Sequence, residues 1–395
     1  MGDDFFMRIA FLSWEALYGM QVGGLAVHIT KMAEALSKLG HEVHIFTRMA
    51  PGQSAYDKIN EVHYHRCPFD LNPDFIQEMN NMSRSFAWHL FREEHEHGRF
   101  DVIHGHDWHI VNGLAEIKHR LNRSVLWTVH STEFGRCGNK FSGGISEHIR
   151  GIEFYGTYIS KKIVACSNAM KEEAKWLYRV PEEKLAVVEN GIDAKEYEGT
   201  VDPGSIKNKY GIGPVDPTIL FVGRMAYQKG PDLLVDAIPQ ILRNNSQARF
   251  VFVGDGYMRS WVEQKSWWNG VAHATRFLGY LPRSDLLALY KSAEAVAIPS
   301  RNEPFGLVVL EAWASCKPVV ATNIGGPGEL VEHEKDGFKV YLNPNSIAWG
   351  VSQILQDNDR AVRMGINGRI KVEEKYSWLH KAKQLSAVYE QTIRA

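Results

Sequence analysis

The sequence predicts an α/β protein built from two Rossmann-like, doubly wound parallel-sheet domains in series. Three observations carry this. Short apolar runs alternate with helical patterns along most of the chain, which argues for parallel strands joined by crossover helices. The alternation lapses once, between Tyr197 and Pro217, and then restarts. The chain has 395 residues, long for one hydrophobic core and comfortable for two.

The first strand is Met7-Arg8-Ile9-Ala10-Phe11-Leu12, apolar enough to be covered on both faces. Leu25, Ile29, Met32, Leu36 and Leu39 then form a helical stripe that Gly40 ends. Val43 to Thr47 is the next strand, and the amphipathic stretch from Asp74 to His97 is a long helix. Asp101 to His104, Val125 to His130, Lys162 to Cys166 and Leu185 to Glu189 read as further strands. A Gly, Pro, Asp and Lys mixture centred on Gly199-Thr200-Val201-Asp202-Pro203-Gly204 places the interdomain linker. The expected domains are therefore 1–200 and 201–377. The second has strands at Thr218 to Val222, Phe250 to Val253, Ala295 to Ile298 and Val319 to Ala321.

Composition excludes several classes. Charged residues make up 23% and the formal net charge is -1, so no global field favours nucleic acid or an anionic membrane. The four cysteines, Cys67, Cys137, Cys166 and Cys316, are far apart and lack the C-x-x-C spacing of metal sites, which fits reduced thiols in the cytoplasm. The acidic start, Met1-Gly2-Asp3-Asp4-Phe5-Phe6, has no signal-peptide core and no hydroxyl residue at position six for myristoylation. No run of eighteen apolar residues predicts a membrane span.

Two carboxylates carry the most chemical information. Glu303 precedes the turn Pro304-Phe305-Gly306, and Glu311 follows after seven intervening residues, inside the apolar run that starts at Leu307. Unpaired amides at the helix start near Gly306 suit a phosphate. Glu311, more than a turn later, suits a diol such as a ribose. A solvated pair of glutamates at a helix start has the same spacing. The second signal is the strand Thr218 to Val222 followed by Gly223-Arg224 and Lys229-Gly230. Both cations can face the crevice at the carboxyl end of the strand, where open parallel sheets bind ligands. Arg224 offers a planar fork and Lys229 a movable charge, together a counter-charge for a diphosphate.

Gly-Arg…Lys-Gly followed by Glu-x7-Glu resembles the retaining glycosyltransferases of the GT-B fold, the family that contains glycogen synthases, sucrose synthases and mannosyltransferases. The resemblance continues in Ser13-Trp14-Glu15 with Val22-Gly23-Gly24-Leu25, in His104-Gly105-His106-Asp107-Trp108, in His130-Ser131-Thr132-Glu133 and in Glu189-Asn190-Gly191-Ile192-Asp193. It implies two Rossmann-like domains facing each other across a cleft, with a last helix, about Trp378 to Ile393, crossing back to the first. It also implies a nucleoside diphosphate sugar as donor, no cofactor and no bound metal. The expected roles are catalytic for Glu303, His130, Arg224 and Lys229. Gly23, Gly24, Tyr280, Leu281, Phe305, Gly306, Leu307 and Glu311 would bind the donor, and Glu15, Asp107 and Arg136 would lie on the acceptor side. Starch-type synthases carry Lys-Thr ahead of the glycines, where this chain has Gln21-Val22.

The resemblance implies transfer of a hexose, glucose above all, to a hydroxyl of an α-1,4-glucan, with the leaving phosphate helping to deprotonate the acceptor. A glycosyl-enzyme intermediate stays open as the alternative route. A small-molecule or lipid-linked acceptor is the alternative substrate, and an epimerase or a metal-dependent hydrolase the alternative class. His104, His106, Asp107 and His109 come near the H-x-H-x-D-H metal pattern, but Trp108 stands where its aspartate belongs. Gly23 and Gly24 do not form the G-x-G-x-x-G fingerprint, which argues against a nicotinamide enzyme. Asn168 reads as a helix cap, and peripheral contact with a membrane remains open for the acceptor side.

Overall fold

The structure is a computed structural model that describes residues 6–20 and 23–394. It divides into two units, Met1–Gly191 with Trp378–Ala395, and Ile192–Ser377.

In the first unit β1 (Arg8–Leu12), β2 (Glu42–Arg48), β3 (Tyr56–Ile59), β4 (Val62–Cys67), β5 (Val102–His106), β6 (Leu126–Val129), β7 (Lys162–Ala165) and β8 (Leu185–Val187) form one sheet. Its order is β3-β4-β2-β1-β5-β6-β7-β8. All pairs are parallel except β3 with β4. Strands β1, β5 and β6 are buried along their whole length, β5 although it carries His104 and His106. The core joins Ile9, Phe11, Ile29, Met32, Leu36 and Ile45 to Trp378, Leu385 and Tyr389 of the last helix, Trp378–Arg394. That helix therefore belongs to the first unit although the chain reaches it through the second.

In the second unit β9 (Thr218–Val222), β10 (Arg249–Val253), β11 (Thr275–Gly279), β12 (Ala295–Ile298), β13 (Val319–Thr322) and β14 (Gly337–Val340) are ordered β11-β10-β9-β12-β13-β14, all parallel. Phe250 and Phe252 lie at the centre of its core with Leu234, Ile238 and Phe338.

The strand order reverses twice, between β1 and β5 and between β9 and β12. Ligands in such sheets bind beyond the carboxyl ends of the strands at that switch. Beyond β1 and β5 come Ser13 and Asp107; beyond β9 and β12 come Arg224 and Glu303.

Two expectations need correction, and one hairpin is additional. The boundary lies at residue 191 rather than 200, because the supposed linker is folded into the second unit. Ile192 donates its N–H to Tyr376 at 2.7 Å, Tyr197 is buried, and Pro203–Lys209 is a helix that Asp202 caps through Gly204 N at 3.1 Å. The cap of helix Asn168–Tyr178 is Ser167, whose hydroxyl accepts from Met170 N at 3.0 Å, rather than Asn168. The hairpin β3–β4 escapes a periodicity reading because histidines alternate along β4; it turns at Asn60 and Glu61, both at positive φ (49° and 63°).

Candidate active site

In the second unit the loops after β9 and β12 bring the predicted charges together. Lys229 Nζ lies 2.7 Å from Glu303 Oε2, and both side chains are half-buried. Gln228, itself buried, ties the loops at their base: its carbonyl accepts the Arg301 N–H at 2.8 Å, and its amide donates to Asn302 Oδ1 at 3.3 Å. Arg301 is held by a two-pronged contact with Asp232 and lies 3.9 Å over the Tyr227 ring. Arg224, exposed, reaches back to Gln228 Oε1 at 3.3 Å. A guanidinium, an ammonium and a carboxylate are thereby fixed on two loops at one switch point.

The loop that carries Glu303 is shaped by a second loop that the sequence reading passed over, Asn323-Ile324-Gly325-Gly326-Pro327. Gly326 N donates to Glu303 O at 2.8 Å. A Cβ on Gly325, which sits at φ +58°, would lie 2.2 Å from Glu303 O, and one on Gly326 2.0 Å from Phe305 O. Only glycines allow this backbone approach. The signal was present as a Gly-Gly-Pro-Gly run directly after an apolar strand.

Phe305 proves to be a core side chain, 3% exposed and near Tyr376, so what it can offer a ligand is its backbone. Gly306, at φ 98°, is the residue before helix Leu307–Ala314, and Leu307 is its first position. Glu311 is engaged on both oxygens. Oε1 accepts from the Tyr197 hydroxyl at 3.2 Å and from Arg283 at 3.1 Å, and Oε2 accepts from the buried Tyr290 at 2.7 Å. These three partners are distant in sequence and were not predicted. Burial, together with the Glu311 charge, raises the Tyr290 phenol well above its usual range, so Tyr290 stays a donor. Tyr280 is exposed and Leu281 half-buried after β11, two strands away from β9.

In the first unit Gly23 N donates to Glu15 Oε2 at 2.7 Å. Glu15 is 3% exposed, which makes it a clamp on the glycine loop rather than an acceptor-facing group. Gly24 opens helix Gly24–Lys38; Gln21-Val22, the departure from the starch-type pattern, lies outside the described residues. Asp107 sits at φ 60°, ψ 178°, a region that non-glycine residues occupy at a cost of about 1–3 kcal/mol. The turn brings its Oδ1 within 3.0 Å of the His130 N–H. Burial pushes its carboxyl up to about 6. Arg136 is committed to Glu153 at 2.6 Å and Ser131 Oγ at 2.7 Å, and so reaches substrate only if it leaves these partners.

His130 is half-buried, its Nε2 3.1 Å from His106 Nδ1 and its ring edge-on to His28 at 4.5 Å. His28 Nδ1 is 2.7 Å from Asn190 Oδ1. Burial lowers all three imidazoles, His130 to about 3, so they are neutral at physiological pH. His104 is a satisfied core histidine, 2.7 Å from the Tyr389 hydroxyl and 2.7 Å from Thr128 Oγ1. The near-match to a metal motif thus breaks at its first position. Among the described residues, two triplets place ligand atoms within 4.8 Å of one another: His28, His106 and His130, and His44, His65 and Glu93.

Residues 204–371 match the family described as Glycosyl transferases group 1, and residues 22–196 match Glycosyltransferase Family 4. The uncharacterized glycosyltransferase MJ1607 of Methanocaldococcus jannaschii is 37% identical over 97% of this chain and 98% of its own length. The chain belongs to the group 1 glycosyltransferases. Glycogen synthase of Mycobacterium tuberculosis is 29% identical over 97% of this glycosyltransferase and 94% of its own length. D-inositol 3-phosphate glycosyltransferase of Jonesia denitrificans is also 29% identical, over 94% and 91%. The fold is GT-B: sucrose-phosphate synthase from Thermosynechococcus elongatus superimposes with TM-score 0.84 at 24% identity, covering 98% of this chain and 99% of that one. HepE of Anabaena, solved with UDP-glucose, does so with TM-score 0.77 at 18% identity, covering 98% and 100%.

Proposed function

We propose that this glycosyltransferase moves glucose from ADP- or UDP-glucose to a hydroxyl of an α-1,4-glucan with retention of configuration, in the cytoplasm and without a metal. The observation that carries the donor half is the cluster of Arg224, Lys229 and Glu303 at one switch point, beside the start of helix Leu307–Ala314. Departure of a nucleoside diphosphate leaves negative charge that two protein cations and the amides after Gly306 would stabilise, each preorganised donor being worth about 3–4 kcal/mol in a closed site. Lys229 now neutralises Glu303 at 2.7 Å. An incoming diphosphate would compete for that ammonium and free the Glu303 carboxylate for sugar hydroxyls. Glu311, steadied by Tyr290, would hold the ribose once Arg283 yields. In the first unit, Gly23, Gly24 and the neutral His130 are the groups offered to substrate, with Asp107 holding the His130 backbone.

Support for the glucan as acceptor is the glycogen synthase relative together with the motifs around Asp107, His130 and Arg136. The inositol phosphate relative, of equal identity, supports a small-molecule acceptor as the second reading. No helix among the described residues is long and apolar enough to cross a membrane, and a lipid-linked acceptor would have to be reached from the surface.

A donor screen tests the proposal. The protein is incubated in EDTA with ADP-, UDP- and GDP-sugars, with maltooligosaccharide or inositol phosphate, following nucleotide release and product size. Glucan-dependent release with chain extension is the expected result. Release only with the small acceptor refutes the glucan reading, and loss of release in EDTA refutes metal independence.

A further inference from the structure

We propose that His44, His65 and Glu93 form a binding site for a divalent transition-metal ion of the zinc type, which fastens β2 and β4 to the long helix Phe75–His97. The site lies at the amino-terminal side of the sheet. Glu42 opens β2, His63 is the second residue of β4, and Arg8 opens β1. The groups discussed above follow the carboxyl ends of the strands, so the two sites are distinct.

The parallel register sets His44 opposite His63 and Phe46 opposite His65, which puts both β4 imidazoles on one face with His44. Helix Phe75–His97 lays Glu93 on that face. His44 Nδ1 is 2.9 Å from His65 Nε2 and 3.7 Å from Glu93 Oε1. A tetrahedral zinc with bonds of about 2.0–2.1 Å needs ligand atoms about 3.4 Å apart, between these two values. Small rotations of the His65 and Glu93 side chains would make room for the ion.

The surroundings are those of a metal-ligating histidine. Glu42 Oε1 lies 2.8 Å from His44 Nε2, the carboxylate partner that fixes such a ring and leaves its other nitrogen facing the ion. Tyr56 and His63 stand behind, with the Tyr56 hydroxyl 2.7 Å from His63 Nδ1 and the His63 ring stacked 4.3 Å from His44. Water would take the fourth position, since His97, exposed and 3.2 Å from Glu93 Oε1, does not join the group whose ligand atoms all lie within 4.8 Å of one another. Charge points the same way. Glu42 and Glu93 share one guanidinium, Arg8, at 2.5 and 2.6 Å, so the cluster carries one more negative than positive charge. The other triplet, His28, His106 and His130, places three imidazoles together without such a carboxylate, and includes a residue offered to substrate.

The test uses the full chain stripped of metal and titrated with zinc against a chromophoric chelator. Native protein is expected to bind one equivalent, and His65→Gln and Glu93→Gln each to lose it, with folding checked by circular dichroism. Glu42→Gln should weaken binding about 10–100-fold, the usual loss for a group that orients a ligand. His28→Gln should leave binding unchanged. Native protein that takes up no zinc, or uptake that survives both His65→Gln and Glu93→Gln, overturns the proposal. Should both variants fail to fold, X-ray absorption of the zinc-loaded native chain decides: two imidazoles with a carboxylate uphold it, three imidazoles overturn it. None of these readouts depends on which sugar is transferred.

Discussion

Replacing Gly326 with alanine puts a methyl carbon 2.0 Å from the carbonyl oxygen of Phe305 and 2.4 Å from its C and Cα atoms. Every one of those atoms is backbone, so no side chain can swing aside. An ordinary C···O approach is about 3.3 Å, which leaves about 1.3 Å for the two loops to find between them. The loop that moves is the one carrying Glu303, since Gly326 N holds Glu303 O at 2.8 Å. A misplacement near 1 Å costs about 100-fold in turnover. The fold itself should lose only about 1–3 kcal/mol, the usual cost of overpacking. The assay pairs initial rates of nucleotide release, at saturating donor, with thermal or urea unfolding. A variant that is destabilised as stated but turns over within about threefold of the native enzyme refutes the claim that this loop positions Glu303. A variant that fails to fold is replaced by Gly325→Ala, where the clash is with Glu303 O at 2.2 Å.

Lys229→Ala should lower kcat/KM about 10²–10³-fold while costing about 1 kcal/mol of stability, because the Lys229–Glu303 pair is partly solvated. Parallel kinetics and melts check it; loss of stability alone would mean an ordinary ion pair. Asp107 governs a pH effect. Its carboxyl titrates near 3.8 unfolded and at about 6 folded, so between those values the native state holds the extra proton and stability falls as pH rises, by about 3 kcal/mol in total. Urea unfolding at pH 4 and pH 7 should show Asp107→Asn losing that dependence, while an unchanged slope would refute the assignment. Gly151→Ala, in helix Ile145–Ile159 with open space around the new methyl, should stabilise by about 0.5–1 kcal/mol and leave turnover unchanged, measured by the same unfolding assay.

What the sequence revealed and what it hid divide along a physical line. Local patterns were readable: β1 and β9 are buried and mostly apolar, and the carboxyl ends of β9 and β5 could be named in advance as the places where Arg224 and Asp107 emerge. Relations between distant segments were not. Nothing about Tyr197, Arg283 and Tyr290 announces that they converge on Glu311, because each sits in its own local context and only the parallel sheet brings them together. The same blindness misjudged Glu15, whose partner is a backbone amide that no side-chain pattern can display, and Phe305, whose turn looked open but whose ring is core. It also missed β4, where His63 and His65 interrupt the apolar period that marks a strand. Those histidines are tolerated because each finds a polar partner on the sheet face, Tyr56 for His63 and His44 for His65. A partly buried polar row of this kind costs stability unless it is satisfied. Its presence one strand in from the sheet edge, toward the amino-terminal ends of the strands, is what calls for an explanation other than the glycosyl transfer itself.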